Sequence, residues 1–115
     1  MTQSLREFRK ERERMNERVL GTGNLGIRRF FALDERAYEK GALDAHTKEL
    51  VGLAASTVLR CDDCITYHLI RCVEQGAGDE EIMDAMNVAL VVGGSIIIPH
   101  LRRAVDRLAE IRAEE

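Results

Sequence analysis

The sequence of 115 residues contains no tryptophan, and aromatic residues make up only 4% of it. Its core must therefore be aliphatic, built from Leu, Ile, Val, Ala and Met. A single proline and nine glycines leave little room for the dense turns of an all-β protein. There is no excess of base: the formal charge is -3, and a nucleic-acid surface calls for a basic face. Long apolar runs are also missing. The longest, Val88 to Pro99, has about 12 residues, whereas a membrane-spanning helix needs roughly 20. Met1 to Leu20 is dense in charge and has no apolar segment of the signal-peptide kind. The expectation is a soluble, cytoplasmic protein with neither nucleic-acid nor membrane partners. Three cysteines do not make a secreted disulfide framework. Two of them stand as CxxC, which in a reducing compartment points to redox chemistry or metal binding.

What is present is helical periodicity. Hydrophobic residues make up 45% of the chain, and they recur at three- and four-residue spacings. The class expected is all-α, with about six helices in a single domain spanning 1–115. Within it, 1–20 reads as an N-terminal helical extension and about 25–112 as the core. The first helix carries a thin stripe of Leu5, Phe8, Met15 and Val19, with opposite charges at Glu7/Lys10 and Glu11/Arg14. Gly21-Thr22-Gly23-Asn24-Leu25-Gly26 matches GxGxxG, but no strand precedes it and no βαβ unit surrounds it. It reads as a turn, with Asn24 capping the next helix. That helix spans Ile27–Lys40, apolar at Ile27, Phe30, Phe31, Leu33 and Ala37. A third helix, capped by Asp44, runs from Ala45 to about Leu59. It should bury Leu50, Val51, Leu53, Ala54, Val58 and Leu59, while Gly52, Ala54, Ala55 and Ser56 allow close approach by a neighbour. The fourth begins near Cys61 or Asp62 and ends before Gly76. Asp79 caps a fifth, from Glu80 to about Val92. The last helix carries Leu101, Ala104, Val105, Leu108 and Ile111, and Pro99 suits its first turn. Val88–Ile98 is apolar nearly all round, as a helix covered on every side would be, which suggests a subunit interface.

The chemistry concentrates in Glu49 to His68. Cys61, Cys64, His68 and Cys72 lie at offsets that place them on one face of one helix. Cys61 stands at the helix N-terminus, where backbone N–H groups and the dipole favour a thiolate. The i,i+3 spacing also lets the sulfurs of Cys61 and Cys64 meet in a disulfide. His68 is one turn below Cys64, and histidine is the side chain suited to exchanging a proton near neutral pH. Glu49 lies roughly 15 Å back along the third helix. If the third and fourth helices form a hairpin around Arg60, Glu49 comes level with residues near 68–72, where an acid could hold the imidazole in place.

Glu49, an eleven-residue gap, Cys61-x-x-Cys64, three residues and then His68 resembles the E-x11-C-x2-C-x3-H motif of the alkylhydroperoxidase AhpD-like family. That family belongs to the carboxymuconolactone decarboxylase superfamily. The resemblance covers roughly Leu25 to Leu108. It implies a helical bundle assembled as a homo-oligomer, a trimer or hexamer, with thiol peroxidase or disulfide reductase activity on a hydroperoxide or disulfide substrate. It further implies that Cys64 is the peroxidatic cysteine. Cys61 would resolve it and take electrons from a dithiol donor, a lipoyl protein or a thioredoxin-like one. Glu49 and His68 match the proton-relay positions. The chain departs from the motif of AhpD at Asp63, where AhpD has a histidine just before the second cysteine. No cofactor and no metal are implied. Helix position alone favours Cys61 as the more acidic thiol, whereas the resemblance assigns attack to Cys64, which is closer in register to His68.

Other readings stand beside this one. Cys61, Cys64 and His68, with Cys72 or Glu49, could supply four zinc ligands, although one continuous helix wraps poorly around a tetrahedral ion. A non-catalytic helical module would leave the cysteines inert. The lactone chemistry of the superfamily's decarboxylases belongs to members without CxxC. Cys72 reads as a small buried hydrophobe, His46 as a first-turn helix residue, and Tyr67 as packing. His100 reads as a surface group or the lining of a pocket or interface.

Overall fold

The structure is a computed structural model that describes residues 3–114. Among these residues the regular structure is helical, with no strand. The chain divides into two compact units, Met1–Glu39 and Lys40–Glu115.

The first unit holds α1 (Leu5–Gly21) and α2 (Leu25–Ala37). Ser4 caps α1 by accepting the Glu7 N–H at 3.1 Å. Leu5 and Phe8 are buried, while Met15 and Val19, further along the expected stripe, are exposed. Arg14 and Glu11 pair at 2.7 Å across one turn. The GxGxxG stretch ends α1 and turns the chain through Gly23 at φ 77°. Asn24 then caps α2, its Oδ1 accepting the Ile27 N–H at 3.0 Å. The helix stops at Ala37 rather than Lys40, and none of its residues is buried. Its expected apolar face, Ile27, Phe30 and Leu33, is exposed.

The second unit contains α3 (Ala45–Val58), α4 (Asp62–Glu74), α5 (Asp79–Gly93), a 3₁₀ turn (Ser95–Ile97) and α6 (Ile98–Ala113). Helix α3 packs on both α4 and α5, and α4 also packs on α6. Leu53, Ile65, Leu69, Ile82, Met86, Ile97, Ala104, Leu108 and Ile111 form the buried aliphatic core. The side chain of Asp44 caps α3 through the Thr47 N–H at 2.7 Å. Two junctions follow one pattern. At the end of α4, Gly76 adopts φ 84°, Gly76 N–H donates to Val73 O and Ala77 N–H to Cys72 O. At the end of α3 the same pair of bonds runs from Arg60 to Thr57 and from Cys61 to Ser56. This is the left-handed helix stop usually made by glycine, here made by Arg60 at φ 58°.

Three expectations change. Helix α3 turns a different face inward: Glu49, Gly52, Leu53, Ser56 and Thr57 are buried, whereas Val51 and Leu59 are exposed. The inward stripe follows i, i+3, i+4, i+7, i+8, the spacing of a single helix face. Its small residues let α4 and α5 approach closely, and its one acid finds polar partners on α4. Helix α5 starts at Asp79, one residue early, and Asp79 is not its cap: the side chain pairs with Arg112 of α6 at 2.8 Å. The apolar run 88–98 is not one helix. It comprises the end of α5, the 3₁₀ turn and the first residue of α6. Gly93 sits where a Cβ would overlap the buried Ile97 side chain, and Gly94 adopts φ 82°. The break is therefore needed for packing, and it leaves Val88, Val91, Val92 and Ile96 exposed. Among the described residues no helix is long and apolar enough to cross a membrane.

Candidate active site

The stop at Arg60 determines how the cysteines are presented. It turns the chain so that Cys61 becomes the extended N-cap residue of α4 instead of its first helical residue. The Cys61 Sγ accepts the Cys64 N–H at 3.2 Å, the place a Ser or Asp oxygen takes in most helix caps. Cys61 and Cys64 are joined in a disulfide with their Cα atoms 5.2 Å apart. Cys64 is exposed and Cys61 half-buried, so the pair lies at the surface, at the positive end of the α4 dipole.

Two turns further along α4, the buried face of α3 brings Glu49 to His68. The Nδ1 of His68 donates to Glu49 Oε2 at 2.9 Å. A carboxylate only accepts, so the proton of this bond is on Nδ1. Glu49 is 2% exposed. A carboxylate so deeply buried is tolerable only with partners for both oxygens. The second partner is Arg71, whose Nε lies 3.6 Å from Glu49 Oε1. Arg71 also pairs with Glu74. The Tyr67 and His68 rings lie roughly parallel, with centroids 5.2 Å apart.

Cys72, which shares this face of α4 by spacing, is fully buried and free. Burial, with Glu49 and Glu81 adding to it, pushes its thiol up to about 12, so it stays protonated at neutral pH. His46 is placed elsewhere. Its Nε2 meets Glu81 Oε2 at 2.8 Å and its Nδ1 meets the Gln75 carbonyl at 3.1 Å. Both partners accept, so the imidazole making both bonds is the charged form. The Glu81 hydrogen bond accordingly raises the His46 pKa.

The sequence pattern did not reveal the surroundings of Asp62, the residue after Cys61. His100 Nδ1 donates to Asp62 Oδ1 at 2.8 Å, and Arg103 Nε to Asp62 Oδ2 at 3.0 Å. Burial works to raise the Asp62 pKa, but the His100 hydrogen bond and the Arg103 charge outweigh it and hold the carboxyl below its usual range. His100 and Arg103 are one turn apart on α6 and could have been paired from spacing, but nothing in the sequence says which helix they meet. Arg71 carried a clearer signal, being three residues past His68 on the same face. Among the described residues, no group of three or more His, Cys, Asp or Glu side chains is arranged to hold a metal ion.

A sequence model of the carboxymuconolactone decarboxylase family matches residues 27–107. The chain belongs to the carboxymuconolactone decarboxylase family. Two crystal structures of a Thermotoga maritima protein, 61% identical to it, agree with the fold. One gives a TM-score of 0.92, covering 94% of this chain and 95% of the other. The second gives 0.89, covering 93% and 91%, and its protein is described as a family member with a suggested involvement in antioxidative response. The apo form of a family protein from Legionella pneumophila is 30% identical, with a TM-score of 0.62, over 93% of this chain and 86% of that one. By sequence, uncharacterized protein 4 in the cox locus of Paracoccus denitrificans is 35% identical over 82 residues, 71% of this chain and 74% of that protein. The chain is thus a family member carrying a CxxC pair.

Proposed function

We propose that the protein is a thiol-dependent peroxidase or disulfide oxidoreductase that uses Cys64 and Cys61 as its redox pair and Glu49–His68 as its proton relay. The observation that carries this reading is the buried Glu49 carboxylate bonded to His68 Nδ1 at 2.9 Å, on the helix whose first turn bears the Cys61–Cys64 disulfide. The suggested antioxidative role of the Thermotoga relative supports the same class of chemistry.

In the reduced state, His68 takes the Cys64 proton at Nε2 while Glu49 holds the imidazolium. The thiolate attacks the terminal oxygen of a hydroperoxide. The O–O bond breaks, the sulfur becomes a sulfenic acid, and the alkoxide leaves as alcohol with the proton from His68. The Cys61 thiol then displaces the sulfenic oxygen as water, forming the disulfide. An external dithiol, of the lipoyl or thioredoxin kind, reduces it by exchange, supplying two electrons and two protons. Each cycle converts one hydroperoxide and one dithiol into alcohol, water and one donor disulfide. No cofactor enters these steps. Assembly as a homo-oligomer, a trimer or hexamer, would cover the exposed Val88, Val91, Val92 and Ile96, and cytoplasmic residence would keep the donor reduced.

The test is a peroxide-consumption assay with several dithiol donors, combined with mass spectrometry of the oxidised product. Cys64→Ser should abolish turnover, and His68→Ala should slow it by about 10²-fold or more. Full activity in Cys64→Ser, or no Cys61–Cys64 disulfide after peroxide treatment, would refute the reading.

A further inference from the structure

An aspartate between the cysteines of a CxxC is at first sight a handicap. A carboxylate beside a thiol disfavours its thiolate, and it opposes the help that the helix N-terminus would otherwise give. A first-turn aspartate often turns back toward the free N–H groups of its own helix. Asp62 does not do so, and the Cys61 sulfur occupies that place by accepting the Cys64 N–H. Both Asp62 oxygens are instead engaged by α6, Oδ1 by His100 and Oδ2 by Arg103. The Asp62 and His100 side chains are 28% and 16% exposed, so the cluster is shielded in part from solvent screening.

We propose that His100 and Arg103 are positioning residues for the cysteine pair, acting through Asp62: they tie the first turn of α4 to α6 and neutralise the Asp62 carboxylate next to Cys61 in the chain, so that the thiolate can form. This rests on reading Cys61 and Cys64 as a redox pair. Arg103 supplies the permanent positive charge, and His100 fixes the carboxylate plane. The lowered pKa of Asp62 accords with such a pairing, since both α6 groups favour its charged form. Arg60 and Asp63 flank the pair in sequence, and His68, bonded to Glu49 of α3, lies one turn past Cys64 on α4. Asp62 is bonded by His100 and Arg103 of α6, whereas Glu49 is bonded by His68 and Arg71 of α4, so separate substitutions perturb the clamp and the relay.

The experiment measures alkylation of the fully reduced chain by iodoacetamide from pH 6 to 10, with the modified cysteine identified by mass spectrometry. Arg103→Gln and His100→Asn should each slow labelling of Cys64 near pH 7 by about 3- to 10-fold, because an unneutralised Asp62 carboxylate disfavours the thiolate. Arg103→Lys keeps the charge and should stay within about twofold of the wild-type rate. In an Asp62→Asn background, Arg103→Gln should have no further effect, because the group it neutralises is gone. That non-additivity is what a merely structural arginine would not show. Arg103→Gln and His100→Asn rates within about twofold of wild type, or a loss that persists in Asp62→Asn, would overturn the proposal. If Arg103→Gln alone does not fold but the double variant does, dependence on Asp62 is shown by stability instead. If neither folds, Arg103 is a structural residue and the proposal falls. Formation of the Cys61–Cys64 disulfide by the wild type is read separately by mass. Its failure removes the redox reading, while the alkylation comparison still reports on the clamp.

Discussion

Glu49→Gln separates what a buried carboxylate does by its shape from what it does by its charge. Glutamine preserves length and retains one carbonyl oxygen, so it can still accept from His68 Nδ1. What disappears is the negative charge facing the imidazolium at 2.9 Å and Arg71 at 3.6 Å. A hydrogen bond to a charged partner contributes about 1.5–3 kcal/mol, against about 0.5–1.5 for a neutral one. For scale, the Coulomb attraction between unit charges at an effective dielectric near 20 is about 4 kcal/mol at 4 Å, before desolvation is subtracted. Together these place the loss of imidazolium stabilisation at about 2–4 kcal/mol, or roughly 30- to 10³-fold in rate. The fold should survive, because Arg71 retains Glu74 as a partner. The assay is peroxide turnover under saturating dithiol, with thermal melting measured in parallel. Glu49→Leu, which removes the acceptor as well, should lose more activity and also stability. Turnover of Glu49→Gln within about threefold of wild type would refute the relay, since the charge would then contribute nothing to the proton transfer.

Two further outcomes follow from the same neighbourhood. The Cys72 thiol, pushed to about 12 by burial, should resist alkylation in the native reduced protein at pH 8, so that two of the three cysteines label until denaturant is added. Labelling of Cys72 at a rate comparable with Cys64 would contradict its placement. The His46–Glu81 contact should make stability pH-dependent. Glu81 lowers toward its charged form through the Gly78 N–H and then His46, so its share is present above its ordinary value of 4.5 and is lost as pH falls through the lowered folded value. His46 is raised, so its share is whole below its ordinary value of 6.5 and is lost as pH climbs through the raised folded value. Urea midpoints of wild type and His46→Ala should therefore differ most between these limits and converge on the alkaline side. A difference that does not change with pH would rule out the ionic contact.

Much of the helical layout was legible because it depends on local chemistry. Asn24 and Asp44 cap the helices they were expected to cap, and Gly23, Gly76, Gly94 or a glycine-like Arg60 follow the ends of α1, α4, α5 and α3, whereas α2 ends early at Ala37 without one. The inward face of α3 was legible only in part: the pattern places Leu53, Gly52 and Ser56 correctly but not Val51 and Leu59. Val51 and, just past the helix end, Leu59 lie outside, because the packing of α4 and α5 selects Leu53 together with small residues and one acid. A hydrophobicity pattern cannot weigh a close helix approach or a buried hydrogen bond against a methyl group. The break in the run at 88–98 has a cause that apolar composition does not show: a Cβ at Gly93 would overlap Ile97.

The sequence by itself determined the helical class, the caps at Asn24 and Asp44 and the cysteine spacing, since these depend on contacts within a few residues. It also placed Glu49 and His68 within one hairpin of each other, because the rise per residue of two helices sharing a turn settles their register. Only the tertiary structure decided that Glu49 is buried and shared with Arg71, that Cys72 is sealed in the core, and that Asp62 is held by His100 and Arg103. Those contacts join residues 22, 38 or 41 positions apart or depend on which face a helix turns inward. Such choices are made by the packing of the whole unit, which no local spacing encodes.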